Sequence, residues 1–173
     1  MKRHIAPLDT ATARLRLLEE RDLALTRAWR NQDHIRRWFL TSDPITAEQH
    51  QEWFRRYLDR DDDFVFLIEE TEVLKCPVGQ VSVYHVDWSK GSAEFGRLML
   101  GEEEARGRGL ARQVTRRLID EAFGPWGLRE LHLECLRENR RALAVYTACG
   151  FEAIGESGPS TLMAIHRVDG VER

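Results

Sequence analysis

Lysine, cysteine and long apolar runs are scarce in this 173-residue sequence. The three cysteines, Cys76, Cys135 and Cys149, are odd in number and far apart, which argues against a disulfide framework and a Cys-x-x-Cys metal knuckle. No stretch approaches the roughly 20 apolar residues of a membrane helix, and residues 1–10 lack the apolar core of a secretory signal. We therefore expect a cytoplasmic protein with no membrane partner and no bound metal.

The charge balance and the apolar content narrow the class of protein further. Lys and Arg number 26 against 29 Asp and Glu, a net charge of −3. Nucleic acid is therefore not an expected partner, because phosphate backbones require a basic surplus or stripe. Hydrophobic residues make up 42% of the chain, which is enough for a core, and its length predicts one domain over residues 1–173.

Hydrophobic periodicity and cap residues predict an alternation of strands and helices. Residues 13–18 alternate as a strand, Asp22 is expected to cap a helix that ends near Asn31, and Thr46 with Gln49 forms a capping-box pattern before a helix to Leu58. Further strands are predicted at 64–69, 78–86, 93–100, 130–136, 151–154 and 161–168, and further helices after Gly107 and after Asn139. This order predicts an α/β domain with a mixed, mostly antiparallel central sheet of about seven strands and about four flanking helices.

A glycine-containing turn between a strand and a helix carries the first chemical signal. Gly107 and Gly109 allow the backbone to approach a ligand, and the N–H groups at the start of the following helix form an anion site. Arg106, Arg108 and Arg112 add positive charge, so a phosphate or pyrophosphate ligand is expected there. A dinucleotide-binding loop is the alternative, although Arg112 stands where its third glycine would be. The turn is also compatible with a simple helix start.

A second block favours one ligand. Asn139-Arg140-Arg141-Ala142, followed by Tyr146 and by Gly150-Phe151, resembles the Asn-x-x-Ala-x-x-x-Tyr-x-x-x-Gly-Phe pattern of the GNAT superfamily of acetyl-CoA-dependent N-acetyltransferases. Arg106-x-x-Gly109-x-Ala111 resembles the loop that binds the CoA pyrophosphate in that superfamily. The resemblance extends from Leu15 to about Arg167, with the specific motifs inside 94–151. It implies a GNAT-like fold whose sheet splays at the cofactor site, and acetyl-CoA as cosubstrate.

The same resemblance implies roles for individual residues in holding the cofactor. Leu98, Met99 and Leu100 would hydrogen-bond the pantetheine arm, and Asn139 would contact it from the other side, a role compatible with a helix N-cap. The pyrophosphate would be bound chiefly through backbone N–H groups of the loop and helix start, which comprise Arg106, Gly107, Arg108, Gly109, Leu110, Ala111 and Arg112.

Proton transfer is expected to use a tyrosine and a carboxylate. The resemblance implies that Tyr146 lies near the sulfur and protonates the departing CoA thiolate, a role that suits a phenol, whose pKa near 10 keeps it protonated at neutral pH. Its spacing alone would favour an aromatic on the buried face of the helix. A base, or a water leading to one, must accept the proton of the amine, and Glu134 and Glu94 are rival candidates. Either carboxylate is also compatible with a structural ion pair to arginine. His132-x-Glu134 resembles half of a zinc-deaminase signature, but no Pro-Cys-x-x-Cys follows.

The resemblance to this superfamily implies an acceptor site built largely from the first helices and the closing strands, roughly residues 27–58 and 155–165. Trp29-Arg30-Asn31 and the segment that contains His50 resemble the ribosomal-protein-acetyltransferase branch, and within it the amino-sugar-nucleotide N-acetyltransferases. This resemblance implies a small-molecule amine acceptor, with a protein N-terminus as an alternative and a non-catalytic CoA-binding module as another, and it is compatible with a homodimer. The aromatic residues are equally compatible with core anchors of amphipathic helices.

Overall fold

The computed structural model of the protein describes residues 2–168, in which eight strands form one sheet. The strands are β1 Leu8–Asp9, β2 Ala13–Leu17, β3 Asp63–Glu70, β4 Cys76–Asp87, β5 Ser92–Leu100, β6 Glu130–Leu136, β7 Glu152–Ser157 and β8 Ser160–His166. They lie in the order β1-β2-β3-β4-β5-β6-β8-β7. Only the β5–β6 pair in this sheet is parallel. The prediction of a mixed, mostly antiparallel sheet is confirmed.

Five α-helices cover the two faces of this sheet within the described residues. They are α1 Leu23–Arg30, α2 Asp33–Arg36, α3 Ala47–Leu58, α4 Leu110–Phe123 and α5 Arg140–Ala148, and short 3-10 turns occupy Glu20–Asp22 and Glu103–Ala105. Across residues 2–168, every helix falls short of the length and apolar character that a bilayer crossing demands.

The cap signals of the sequence have mixed outcomes. Thr46 accepts a hydrogen bond from the backbone N–H of Gln49 and the Gln49 side chain accepts one in return, as the capping-box pattern predicts. Asn139 caps α5 by accepting from the Ala142 N–H at 3.3 Å. The prediction for Asp22 is wrong: its side chain makes no cap hydrogen bond to α1, because it is engaged by Arg16 and the Glu19 N–H.

Two hydrophobic cores lie on opposite faces of the sheet. Phe64, Phe66 and Ile68 of β3 join the larger core under α4 and α5, while the alternate residues Val65 and Leu67 join the smaller core under α1 and α3. Both faces of β3 are therefore buried, which accounts for its nearly unbroken apolar sequence.

The sheet opens between β5 and β6, as the resemblance implied. Their parallel pairing covers only Ser92–Glu94 against Glu130–His132, after which β6 stays paired with β8 while β5 follows β4. A register shift opposite Gln80 and Ser82 places an extra residue in β5, and Arg97 there has a φ of 51°. The outer half of β5 therefore has an edge without a strand partner, beside the opening.

Candidate active site

A cleft of about 1150 Å³ occupies this opening and extends to α1, α2 and the start of α4. The residues predicted to bind cofactor or act in catalysis that line the cleft are Leu98, Met99, Leu100, Arg106, Gly107, Ala111, Glu134, Asn139 and Tyr146. Side chains separated by up to 48 positions in the sequence therefore surround one cavity. Because the cleft lies where β5 and β6 separate, backbone groups of β5 are accessible to an extended ligand.

The loop before α4 has the geometry of an anion site. Gly107 and Gly109 have φ values of 71° and 77°, and a Cβ at either position would meet no atom within 4 Å. Glycine is therefore favoured here by backbone conformation rather than by crowding. No side chain caps the α4 N-terminus at Gly109, so its first N–H groups are available to an anion such as a pyrophosphate.

The arginines of this loop occupy different places. Arg106 donates from Nη2 to the Leu100 carbonyl at 3.3 Å and lies 2.8 Å from His34 Nε2, so it connects β5 to α2 beside the cleft. Arg108 donates to the Glu104 carbonyl, Arg112 is exposed, and neither of these two side chains lines the cleft. Leu110 is 1% exposed and packs in the larger core, so it and Gly109 can offer only backbone groups to a ligand.

Tyr146 is fixed by two aromatic contacts inside the cleft. Its ring packs edge-on against Phe95 and Phe151, with centroid distances of 5.9 and 6.0 Å, and the residue is 7% exposed. Burial, with smaller contributions from Cys135 and Tyr84, raises the pKa of the Tyr146 hydroxyl above its ordinary value. The hydroxyl therefore keeps its proton throughout the neutral range.

The two candidate bases lie in different surroundings. Glu134 is exposed and lines the cleft. Glu94 does not line it; its Oε1 lies 2.9 Å from His85 Nδ1 and 4.0 Å from His132 Nε2. Glu94 therefore lies outside the cleft wall, beside two histidines.

Tyr84 is a cleft residue beside Glu94 that sequence reasoning missed. It lines the cleft and lies opposite Glu94 in the β4–β5 register. Burial raises the pKa of Tyr84 to about 12, and the charge of Glu94 with a hydrogen bond to it adds to the rise. Only the pairing of β4 with β5 places Tyr84 beside Glu94. The sequence does not predict that pairing, because the register contains a bulge.

A smaller cavity of about 280 Å³, which we call the side pocket, lies between α1, α3 and the sheet. Arg30, His50, Trp53 and Arg97 are among the residues that line it, and Arg30 and Arg97 also line the cleft. Among the predicted acceptor residues, Arg30 and His50 therefore lie at cavities.

Trp29 and Asn31, the other two predicted acceptor residues, line neither cavity. Trp29 is 2% exposed in the smaller core and donates from Nε1 to Glu102. The Asn31 side chain donates a hydrogen bond from Nδ2 to the Ile45 carbonyl and accepts one at Oδ1 from the Ile45 N–H, both at 2.8 Å. Their side chains are engaged in packing and in positioning the chain, so contact with an acceptor is not supported by where they lie.

Comparison with known proteins places the chain in a family. The family model described as acetyltransferase (GNAT) domain matches residues 13–152. The chain belongs to the GNAT acetyltransferases. It is an acetyl-CoA-dependent N-acetyltransferase.

Relatives of this acetyltransferase include an enzyme of polyamine acetylation. The chain is 26% identical over 137 residues to spermidine N(1)-acetyltransferase of Vibrio cholerae, covering 79% of this chain and 77% of the relative. A crystal structure of the Vibrio cholerae spermidine N-acetyltransferase with CoA and spermine matches with a TM-score of 0.81 at 24% identity, over 91% of this chain and 96% of that one. A dodecameric structure of that enzyme matches with a TM-score of 0.73 at 22% identity, over 91% and 95% of the two chains.

The acetyltransferase has no evident metal centre in the part of the chain described. Within residues 2–168, no three His, Cys, Asp or Glu side chains are grouped so that they could hold a metal ion. Cys135 is buried, and burial raises the pKa of its thiol to about 11.

Proposed function

We propose that this acetyltransferase acetylates the primary amine of a small molecule, such as an amino sugar or an amino-sugar nucleotide, by direct attack of the amine on the thioester. One observation supports the direct attack: a protonated tyrosine and an exposed carboxylate line the same cleft. Tyr146 and Glu134 are contributed by α5 and β6 respectively, so one can donate a proton while the other accepts one.

Cofactor binding is assigned to backbone groups more than to side chains. Acetyl-CoA, when bound, supplies an acetyl thioester that a neutral amine can attack. We assign its pyrophosphate to the N–H groups at the start of α4, with Arg106 beside them, and its amide-bearing arm to the unpaired edge of β5 at Leu98, Met99 and Leu100. Asn139 lines the cleft while its side chain caps α5, so it contributes to orientation of that wall.

The proton of the amine is assigned first to Glu134. This carboxylate lines the cleft, whereas Glu94 does not line it and lies 2.9 Å from His85 Nδ1. Tyr146 holds its proton at the phenolic oxygen and donates it to the leaving thiolate.

Replacing Tyr146 with Phe tests the acid. We expect Tyr146→Phe to lower kcat by about 10²- to 10⁴-fold with little change in acetyl-CoA affinity, because the ring and its packing remain. Tyr57→Phe is the matched control, since Tyr57 is buried in the smaller core and lines neither cavity. Steady-state kinetics and calorimetric titration with acetyl-CoA measure the two quantities, and an unchanged kcat in Tyr146→Phe would remove this residue as the acid.

A screen of amines tests the acceptor class. The panel contains amino sugars, amino-sugar nucleotides, polyamines and peptides with free N-termini, with thiol release from acetyl-CoA as the readout. The named relative acts on a polyamine, and an N-terminal peptide as the best substrate would favour the alternative of a protein acceptor. A peptide α-amine, with a pKa of roughly 7.7–8.0, would also give activity that plateaus at lower pH than a lysine-like amine of about 10.4.

Self-association of the chain is a further proposal. All six residues of the edge strand β7 are exposed, including Ile154 at 61%, so β7 has backbone groups and apolar surface available for a second copy. A dodecamer is known for the Vibrio cholerae relative. Light scattering coupled to gel filtration measures the mass, and a monomer at micromolar concentrations would contradict a homodimer.

A further inference from the structure

The side pocket is positively charged. The residues that line it within the described chain include Arg27, Arg30, Arg97 and His50, and they include no Asp or Glu. Arg97 is neutralised by Asp63, whose carboxylate lies 2.8 Å from its Nη1. The remaining positive charge therefore has no acidic counterpart among the lining residues.

Arg30 is the residue whose burial most needs an explanation. It is 9% exposed, its guanidinium lies 4.0 Å from the Phe39 ring centroid, and Nη2 donates to the Thr41 carbonyl. Nη1 is buried and has no hydrogen-bond partner within the described residues. Burial lowers the pKa of this guanidinium, yet arginine stays protonated in proteins. A buried cation without an ion pair is costly, and an anion beside Nη1 would remove that cost.

His50 supplies a second nitrogen at the same pocket. Its Nδ1 is also buried without a partner, and its ring stacks on Trp53 with a centroid distance of 5.4 Å. Desolvation lowers the pKa of His50, and the positive charge of Arg27 lowers it further. A hydrogen bond to the Leu23 backbone opposes this shift in part. An anion in the pocket would favour the protonated ring, which then offers an N–H at Nδ1.

The cleft that joins the side pocket is also richer in cations than in acids. Six arginines and three glutamates line it, and Arg30, Phe39 and Arg97 line both cavities. A polycation that extended towards the side pocket would meet Arg30 and Arg27 without a carboxylate to bind. An amine that ends in an anion would find complementary charge in the same place.

We infer that the acceptor carries an anionic group, a carboxylate or a phosphate, and that the side pocket holds this group through Arg30 and His50 while the amine reaches the cleft. The inference rests on the proposed function, since it assigns an anionic group to one end of the proposed small-molecule acceptor. It distinguishes the substrate of this chain from the polyamine in the name of its relative.

Matched pairs of amines test the inference. Lysine and cadaverine differ by a carboxylate, glucosamine 6-phosphate and glucosamine differ by a phosphate, and spermidine is the polycation. We expect the anionic member of at least one pair to have a kcat/KM about 10- to 100-fold above its partner, the range expected from one charge-assisted hydrogen bond. A preference within the first pair would identify a carboxylate as the bound group, and a preference within the second pair would identify a phosphate.

Two variants connect the preference to the pocket. Arg30→Gln is expected to reduce the ratio within that pair to about threefold or less, through KM for the anionic amine. Arg55→Gln is the matched control, because Arg55 lies on α3 with 68% of its side chain exposed and lines neither cavity. His50→Gln should lower the same ratio more weakly, and it serves as the test if Arg30→Gln does not fold.

The possible results separate the two levels of the proposal. Three results would overturn the inference alone. The enzyme could acetylate amines with no preference in either pair, or have a higher kcat/KM for spermidine than for the anionic amines. Arg30→Gln could also lower kcat/KM equally for the anionic and the neutral member of a pair. Binding of acetyl-CoA without acetylation of any amine would overturn the proposed function and the inference with it. Protection against thermal unfolding by inorganic phosphate in the wild type, lost in Arg30→Gln and kept in Arg55→Gln, would support the anion site without relying on activity.

Discussion

The carboxylate of Asp22 shows how a charged side chain is stabilised inside this fold. It accepts from both terminal nitrogens of Arg16, at 2.7 and 2.9 Å, and from the Glu19 N–H at 2.9 Å, while 7% of its side chain is exposed. Burial acts to raise the pKa of Asp22, but the hydrogen bonds from Arg16 and Glu19 prevail and hold it below its ordinary value. Its contribution to stability is therefore present above the unfolded pKa of about 3.9 and is lost as the pH falls through the folded value.

Asp22→Asn should expose this contribution. We expect a loss of about 1.5–3 kcal/mol in the free energy of unfolding at pH 7, because Arg16 loses its bidentate partner and keeps Glu69. Asp9→Asn removes an exposed carboxylate paired with Arg14 and should change stability much less than Asp22→Asn, because solvent screens an exposed ion pair. Urea unfolding at pH 7 and at pH 3.5 measures both, and a difference for Asp22→Asn that did not shrink at the lower pH would contradict this account.

Single residues were predictable where a local pattern specifies them. The N-cap role of Asn139 and the capping box at Thr46 depend on residues three positions apart, so the sequence alone was sufficient. Tyr84 and Arg97 required the pairing of β4 with β5, including its bulge. Asp22 was assigned to the helix that follows it because the strand arginine that binds it lies six positions earlier, outside any capping pattern.

At the scale of elements, the start of α4 depends on backbone conformation. Gly109 precedes the helix with φ at 77° and open space around the position of a Cβ, so Gly109→Ala would cost about 1–2 kcal/mol of conformational strain. We expect the same substitution also to weaken acetyl-CoA binding, because relief of that strain reorients the first N–H groups of the helix. Equilibrium unfolding and calorimetric titration with acetyl-CoA measure the two effects.

Gly127 provides the control for this prediction. Its φ is 68°, its Cβ position is equally open, and it lies in the turn after α4, away from the cleft. Gly127→Ala should therefore lose similar stability with unchanged acetyl-CoA affinity. Equal affinities in the two variants would show that the conformation at Gly109 does not matter for the anion site.

The longer elements were predictable and the shortest were not. β6 was predicted at its observed bounds because polar and apolar residues alternate over residues 130–135. β1 has two residues and α2 has four, too few for a period to be recognised. Missing α2 matters for the site, since His34 on this helix contacts Arg106.

At the scale of the molecule, the two cores share one sheet and should unfold together. Trp29 reports on the smaller core, and Trp126, whose ring lies 5.0 Å from that of Phe64, reports on the larger core. Alternate residues of β3 belong to each core, so neither can open without the other. We expect the fluorescence transitions of Trp29→Phe and Trp126→Phe to coincide with the far-ultraviolet dichroism of each variant in urea. A resolved second transition would show that the α1–α3 layer separates first.

The bulge in β5 has a consequence for insertions and deletions. In a regular strand, Phe95 and Met99 would share a face because they are four positions apart. Here Phe95 belongs to the larger core and Met99 to the smaller one. Deleting one residue between them would leave the two side chains three positions apart in a regular strand, so Phe95 and Met99 would still face opposite cores. A deletion at this place is therefore expected to keep both cores while it removes the bulge beside the cleft, whereas a deletion elsewhere between two buried residues of β5 would turn one of them out of its core.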